Sequence, residues 1–179
     1  IKEDYKINPE ALEEAINEKT RLVIYSSPCN PSGSVYTQSE TAAIANVLRK
    51  HDNVFTISDE IYELINFTPR HASLAAEPGM IERVITVNGV SKGFAMTGWR
   101  LGYIGAPKWI AAACTKIQGQ FTSAPCSITQ AAAAEAVDQD PSISKSMLDA
   151  FLRRRDAMHA DLSKIPGIEL NMPMGAFYL

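Results

Sequence analysis

Lys92 stands in the run Gly89-Val90-Ser91-Lys92-Gly93-Phe94-Ala95-Met96-Thr97-Gly98-Trp99-Arg100-Leu101-Gly102, where small neighbours leave its amine uncrowded. Eight positions later, Arg100 sits in a Gly-Trp-Arg-x-Gly turn. A deprotonated lysine amine condenses with an aldehyde, and an arginine held nearby grips a phosphate. Two further polar groups accompany them: Asn30 in Asn30-Pro31-Ser32-Gly33, and Asp59 with Tyr62 in Asp59-Glu60-Ile61-Tyr62. Taken singly, each has a plainer reading. Asn-Pro-x-Gly is a turn sequence, Asp59 can cap a helix beginning at Ile61, Tyr62 can be a core residue, and an isolated Lys or Arg is a surface charge.

The elements that would position these groups follow from periodicity and caps. Asn8-Pro9 before Ala11, Leu12, Ala15 and Ile16 predicts an N-cap and an apolar helical stripe. Leu22 to Tyr25 reads as a buried strand, and Thr37-Gln38-Ser39-Glu40 as a capping box opening a helix with Ile44, Val47 and Leu48. Strands are expected at Val54 to Ile57, Arg83 to Val87 and Leu101 to Gly105, with helices from Pro107 and over Ser127 to Val137. Asp140-Pro141 predicts the cap of a long charged helix to about Ser163 with Arg153, Arg154 and Arg155 exposed. A short strand at Ile168 to Leu170 and a strand-like ending at Ala176 to Leu179 follow.

Strands alternating with helices imply right-handed βαβ units, so the expected class is α/β with a mainly parallel sheet flanked by helices. In such sheets, ligands collect beyond the carboxyl ends of the strands. Asn30, Asp59 with Tyr62, and Lys92 each follow a predicted strand, and their convergence is a stronger signal than any one of them.

Composition narrows the function classes. The chain has 179 residues, 46% of them hydrophobic, with a formal net charge of −3 and 17 scattered Lys and Arg, which argues against a nucleic-acid partner. Cys29, Cys114 and Cys126 are odd in number and lack metal spacing, which suggests reduced thiols in a cytoplasmic setting. His51, His71 and His159 have no carboxylate or thiol at ligand spacing, so no metal site is expected. No run approaches the ~18 apolar residues of a membrane helix, so no membrane partner is expected. A first residue of Ile and an apolar ending suggest a piece of a longer protein.

Together these motifs resemble the class I pyridoxal phosphate (PLP)-dependent aminotransferases of fold type I. Residues 89 to 102 match that family's attachment-site signature throughout. Asn30-Pro31-Ser32-Gly33 is similar to its Asn-Pro-x-Gly and Asp59-Glu60-Ile61-Tyr62 to its Asp-x-x-Tyr. The wording Ala95-Met96-Thr97-Gly98-Trp99-Arg100 is most like the aspartate and prephenate aminotransferase branch.

The resemblance implies pyridoxal 5′-phosphate as cofactor and transamination between an amino acid, with aspartate and glutamate first, and a 2-oxo acid. Prephenate transamination, a lyase or synthase on the same scaffold, and an inert fragment or interaction module are its alternatives. Lys92 is then the Schiff-base lysine and the acid-base catalyst. Asp59 pairs with the pyridine nitrogen, Tyr62 and Asn30 hydrogen-bond the phenolic oxygen, and Arg100 binds the phosphate beside backbone N–H groups at a helix N-terminus. Many relatives have a serine where this chain has Gly89, leaving only a backbone amide there. Residues 1–140 would be part of the PLP-binding large domain, and 141–179 the interdomain helix and start of a smaller α/β domain. The family's upstream Gly-rich turn and stacking aromatic, and its downstream carboxylate-binding arginine, have no counterpart here. The 179 residues alone are therefore expected to turn over little substrate, and a homodimer is implied by analogy.

Overall fold

A computed structural model describes residues 2–179. Its centre is a four-stranded sheet in sequence order, β1 (Leu22–Ser26), β2 (Phe55–Asp59), β3 (Val84–Gly89) and β4 (Gly102–Gly105). The first three strands are parallel, with Ser26 opposite Asp59 and Asp59 opposite Val87. β4 runs antiparallel to β3, so the Lys92 segment is the turn that reverses the chain between them. The helices are α1 (Pro9–Ala15), α2 (Gln38–Leu48), α3 (Lys108–Phe121), α4 (Ser127–Val137) and α5 (Lys145–Leu162).

Local chemistry starts the elements where the sequence signals stood. The Asn8 side chain accepts the Ala11 amide at 2.8 Å, with Pro9 in the first turn. Thr37 and Glu40 close a reciprocal capping box on α2, and Lys6 ties Glu40 to the start of the chain at 2.9 Å. α2 then buries Ile44 and Leu48 against Leu12, Tyr36, Val54, Leu74, Met80 and Val84 in the main core. Leu48 and Leu74 are wholly excluded from solvent, a burial worth about 1.5–3 kcal/mol for each side chain. A second cluster joins Tyr62, Ile65 and Ala176 to Met147 and Phe151, so α5 packs over the turn that follows β2.

Several expectations need correction. β1 is not buried: it is an edge strand with Ile24 66% exposed, because the sheet face that carries Leu22 and Ile24 is left uncovered. No helix starts at Ile61. Residues 61–64 form a hydrogen-bonded turn, and β2 connects to β3 through turns and a single 3-10 turn at Leu74–Ala76. Asp140 caps through the Ser142 amide at 2.8 Å, but the segment it opens is a 3-10 turn, Pro141–Ser144, and α5 begins only at Lys145.

Arg155 is not an exposed charge. Its guanidinium lies 4.8 Å from the Phe67 ring centre and donates to the Pro173 carbonyl, a site where a flat cation on an aromatic face is favourable. No strand forms at 168–170, and the chain's last residues make a single bridge, Asn66 to Gly175. α3 has no buried residue and leaves Trp109, Ile117 and Phe121 exposed, as α4 leaves Ile128.

Candidate active site

Each polar motif after a strand is held by bonds that cross the chain. Beyond β2, Asp59 Oδ1 accepts the Ile61 amide at 3.1 Å, which folds the backbone back on itself. The next residue, Glu60, is 3% exposed and fully engaged: Ser58 and Ser73 hydroxyls donate to it, each at 2.9 Å, and His71 Nε2 lies 2.7 Å away. A buried carboxylate persists only with such partners, so this cluster anchors the turn carrying Asp59 and Tyr62. His71, which in the sequence had no carboxylate at ligand spacing, thus meets Glu60. Glu63 lies in the same group and accepts from Asn88 Nδ2 at 2.6 Å.

Tyr62 is 2% exposed, and its hydroxyl lies 2.8 Å from that of Tyr178. Its ring meets Phe177 edge-on at 5.3 Å, and Phe177 in turn stacks on Phe151 of α5 at 5.3 Å. Burial pushes the Tyr62 phenol far above its usual range, so it is neutral at physiological pH.

Lys92 Nζ lies 5.8 Å from the Tyr62 ring centre and 5.6 Å from that of Phe177. Among the described residues it makes no hydrogen bond and no ion pair. The loop around it is fastened by backbone rather than by the amine. The Ala95 amide donates to the Lys92 carbonyl at 3.1 Å, the Thr97 hydroxyl to Ser91 at 2.8 Å, and the buried Ser144 hydroxyl to Gly93 at 2.5 Å. Gly93 is required by space, since a Cβ there would lie 2.7 Å from Leu64 Cδ1. Gly89 is built into β3, where a Cβ would meet the Leu101 carbonyl at 2.9 Å. Its amide donates to Asn88 Oδ1 at 2.8 Å and is already committed.

The two remaining sequence candidates stand apart from this cluster. Asn30 is exposed on the loop after β1, which Gly33 fastens by accepting the Met174 and Gly175 amides at 2.8 and 3.0 Å. Its neighbour Pro31 borders a cavity of about 500 Å³ that Phe177 and Tyr178 also line. Arg100 is exposed, in the left-handed region at φ 54°, and donates to the Thr97 carbonyl at 2.9 Å. It faces a second cavity of about 580 Å³ bordered by Trp99, Cys126 and Thr129 at the start of α4. Cys126 stands at the N-cap position of that helix, where the nearby Thr129 and Ile128 amides lower its thiol pKa.

Sequence reasoning missed Tyr178, Phe177, Glu60, His71 and Ser144. Glu60 and His71 are eleven residues apart and Tyr62 and Tyr178 more than a hundred, so no local spacing marks either pair. A glutamate beside Asp59 and just ahead of Tyr62 was the one available hint.

The chain belongs to the aminotransferase class I and II family, whose family model matches residues 1–179. It is 47% identical over 183 residues to the bifunctional aspartate aminotransferase and glutamate/aspartate-prephenate aminotransferase of Petunia hybrida, covering 100% of this chain and 38% of that protein. It is 42% identical to an aspartate/prephenate aminotransferase of Cereibacter sphaeroides, covering 98% of this chain and 44% of the relative. The aspartate aminotransferase structure from Rhizobium meliloti superposes with a TM-score of 0.92 at 40% identity, over 96% of this chain and 43% of that one. The chain thus spans about two fifths of the length of these relatives.

Proposed function

We propose that this chain carries the cofactor-holding part of a PLP-dependent aminotransferase that moves an amino group between an amino acid and a 2-oxo acid. Aspartate and glutamate are the proposed amino donors. The observation that carries the reading is Lys92, whose amine is unpaired and directed over the Tyr62 and Phe177 rings. Membership of the aminotransferase class I and II family supports it.

The donor set fits the cofactor. Lys92 supplies an amine to an aldehyde, Asp59 offers one carboxylate oxygen not used by Ile61, and Tyr62 is a neutral phenol. When bound, pyridoxal phosphate takes up the electron pair left as a substrate α-proton departs. Lys92 accepts and returns that proton at Nζ. Asp59 keeps a ring nitrogen protonated through its negative charge, and Tyr62 donates to an anionic ring oxygen. Asn30 and Arg100 are proposed for the ring oxygen and the phosphate. The start of α4 beside Arg100 offers backbone N–H groups that favour an anion.

We further infer that residues 1–140 belong to a large domain and 141–179 to the helix and start of a smaller one. A second copy of the chain would cover Trp109, Ile117, Phe121 and Ile128. Three free thiols fit a reducing, cytoplasmic setting, and no helix among the described residues is long and apolar enough to cross a membrane.

The test is spectroscopic. The protein mixed with pyridoxal 5′-phosphate gains an absorbance band that Lys92→Ala abolishes and that aspartate or glutamate bleaches only slowly, given the little turnover expected of these 179 residues. A band unaffected by Lys92→Ala refutes the reading.

A further inference from the structure

The hydroxyls of Tyr62 and Tyr178 lie 2.8 Å apart, and either can be the donor. A phenol owns a single proton. If Tyr62 gives its proton to Tyr178, it has none for an acceptor on the side that Lys92 faces. If Tyr178 is the donor, the Tyr62 oxygen is satisfied as an acceptor and its own proton is free to point elsewhere. Among the described residues, neither hydroxyl has another hydrogen-bond partner to settle the choice. The two rings meet at 75° with centroids 6.0 Å apart, and Phe177 lies 4.9 Å from Tyr178 and 5.3 Å from Tyr62. Tyr62 is 2% exposed, and a weakly solvated phenol needs its partner more. Tyr178 is held in turn by the backbone: the Ala176 amide donates to Ile65 at 2.8 Å, three residues beyond Tyr62.

We propose that Tyr178 is a positioning residue that donates its hydroxyl proton to the Tyr62 oxygen and so directs the one Tyr62 proton onto the anionic ring oxygen of a cofactor held by Lys92. The inference rests on the cofactor reading above. Hydrogen bonds in a chain polarise one another, each strengthening the next by about 10–30%. The Tyr62 bond favours the form in which the ring oxygen is anionic and the nitrogen joining Lys92 to the cofactor has lost its proton. Without Tyr178 that bond weakens, and the nitrogen keeps its proton to higher pH.

The test is a pH titration of the absorbance of the cofactor-loaded protein. Tyr178→Phe raises the midpoint by about 0.3 unit or more. Tyr62→Phe raises it further, and the double variant matches Tyr62→Phe alone, because Tyr178 acts only through Tyr62. An unmoved midpoint in Tyr178→Phe overturns the proposal, as does an equal further rise when Tyr178→Phe is added to Tyr62→Phe. In the cofactor-free protein labelled at the tyrosine ¹³Cζ, Tyr178→Phe moves the Tyr62 resonance while Tyr25, Tyr36 and Tyr103 stay in place. A Tyr62 resonance that does not move, or a general shift of all of them, also overturns it. If the wild-type protein gains no cofactor absorbance, the cofactor reading falls and the role of Tyr178 with it. A titrating wild type with an unmoved variant removes Tyr178 alone.

Discussion

Gly33→Ala tests how the Asn30 loop is held against the chain's last residues. Gly33 has φ +68°, a backbone region that costs an L-residue about 1–2 kcal/mol. A Cβ built there falls 2.2 Å from Pro173 Cβ and 3.0 Å from Pro173 Cα, so the 173–175 segment has to move. Overpacking of this kind costs about 1–3 kcal/mol. Movement also loosens the two bonds by which the Gly33 carbonyl accepts the Met174 and Gly175 amides. The expected loss is therefore about 2–5 kcal/mol. At a urea dependence of about 2 kcal/mol per molar, it lowers the unfolding midpoint by roughly 1–2.5 M. Gly79→Ala is the matched control, because Gly79 has φ +78° and nothing within 4 Å of a built Cβ. It should lose only the backbone part, about 1–2 kcal/mol. Urea unfolding followed by far-ultraviolet circular dichroism measures both, and equal losses in the two variants would refute the steric argument.

Two further outcomes follow from charge. Burial raises the Glu40 pKa, but bonds from Thr37 and Lys6 more than offset it, so the folded value lies below the ordinary 4.5. Glu40 therefore stabilises the fold above pH 4.5, and that contribution is lost as pH falls through the depressed folded value. Thermal melts should show less acid-side loss in Glu40→Gln, and an unchanged acid slope would count against the capping network. At neutral pH, Cys126 should react with iodoacetamide ahead of Cys114, which is exposed within α3, and ahead of half-buried Cys29. Peptide mapping reads the order, and Cys114 reacting first would contradict the lowering of the Cys126 thiol pKa by the Thr129 and Ile128 amides.

The helix starts were legible because their signals are local. The Thr37–Glu40 capping box and the Asn8-Pro9 start are spaced along the chain, and both form as read. The exposure of Ile24 could not be read from its apolar neighbours, because a strand's burial depends on which layers cover the two faces of its sheet. The turn at Ile61 defeated helix reasoning because the Asp59 carboxylate and buried Glu60 hold the backbone in another shape. At the site, Asp59, Tyr62 and Lys92 were visible as motifs at strand ends. The aromatic wall of Phe177 and Tyr178 was hidden, since contact across more than a hundred residues leaves no periodic trace. Arg100 was legible as a cation, but not the turn that points its guanidinium at Thr97.

The most direct measurement is borohydride reduction of the protein after incubation with pyridoxal 5′-phosphate, followed by peptide mass mapping. The account predicts a reduced cofactor adduct on the peptide containing Lys92, absent from Lys92→Ala. An adduct on another lysine with Lys92 unmodified would contradict it.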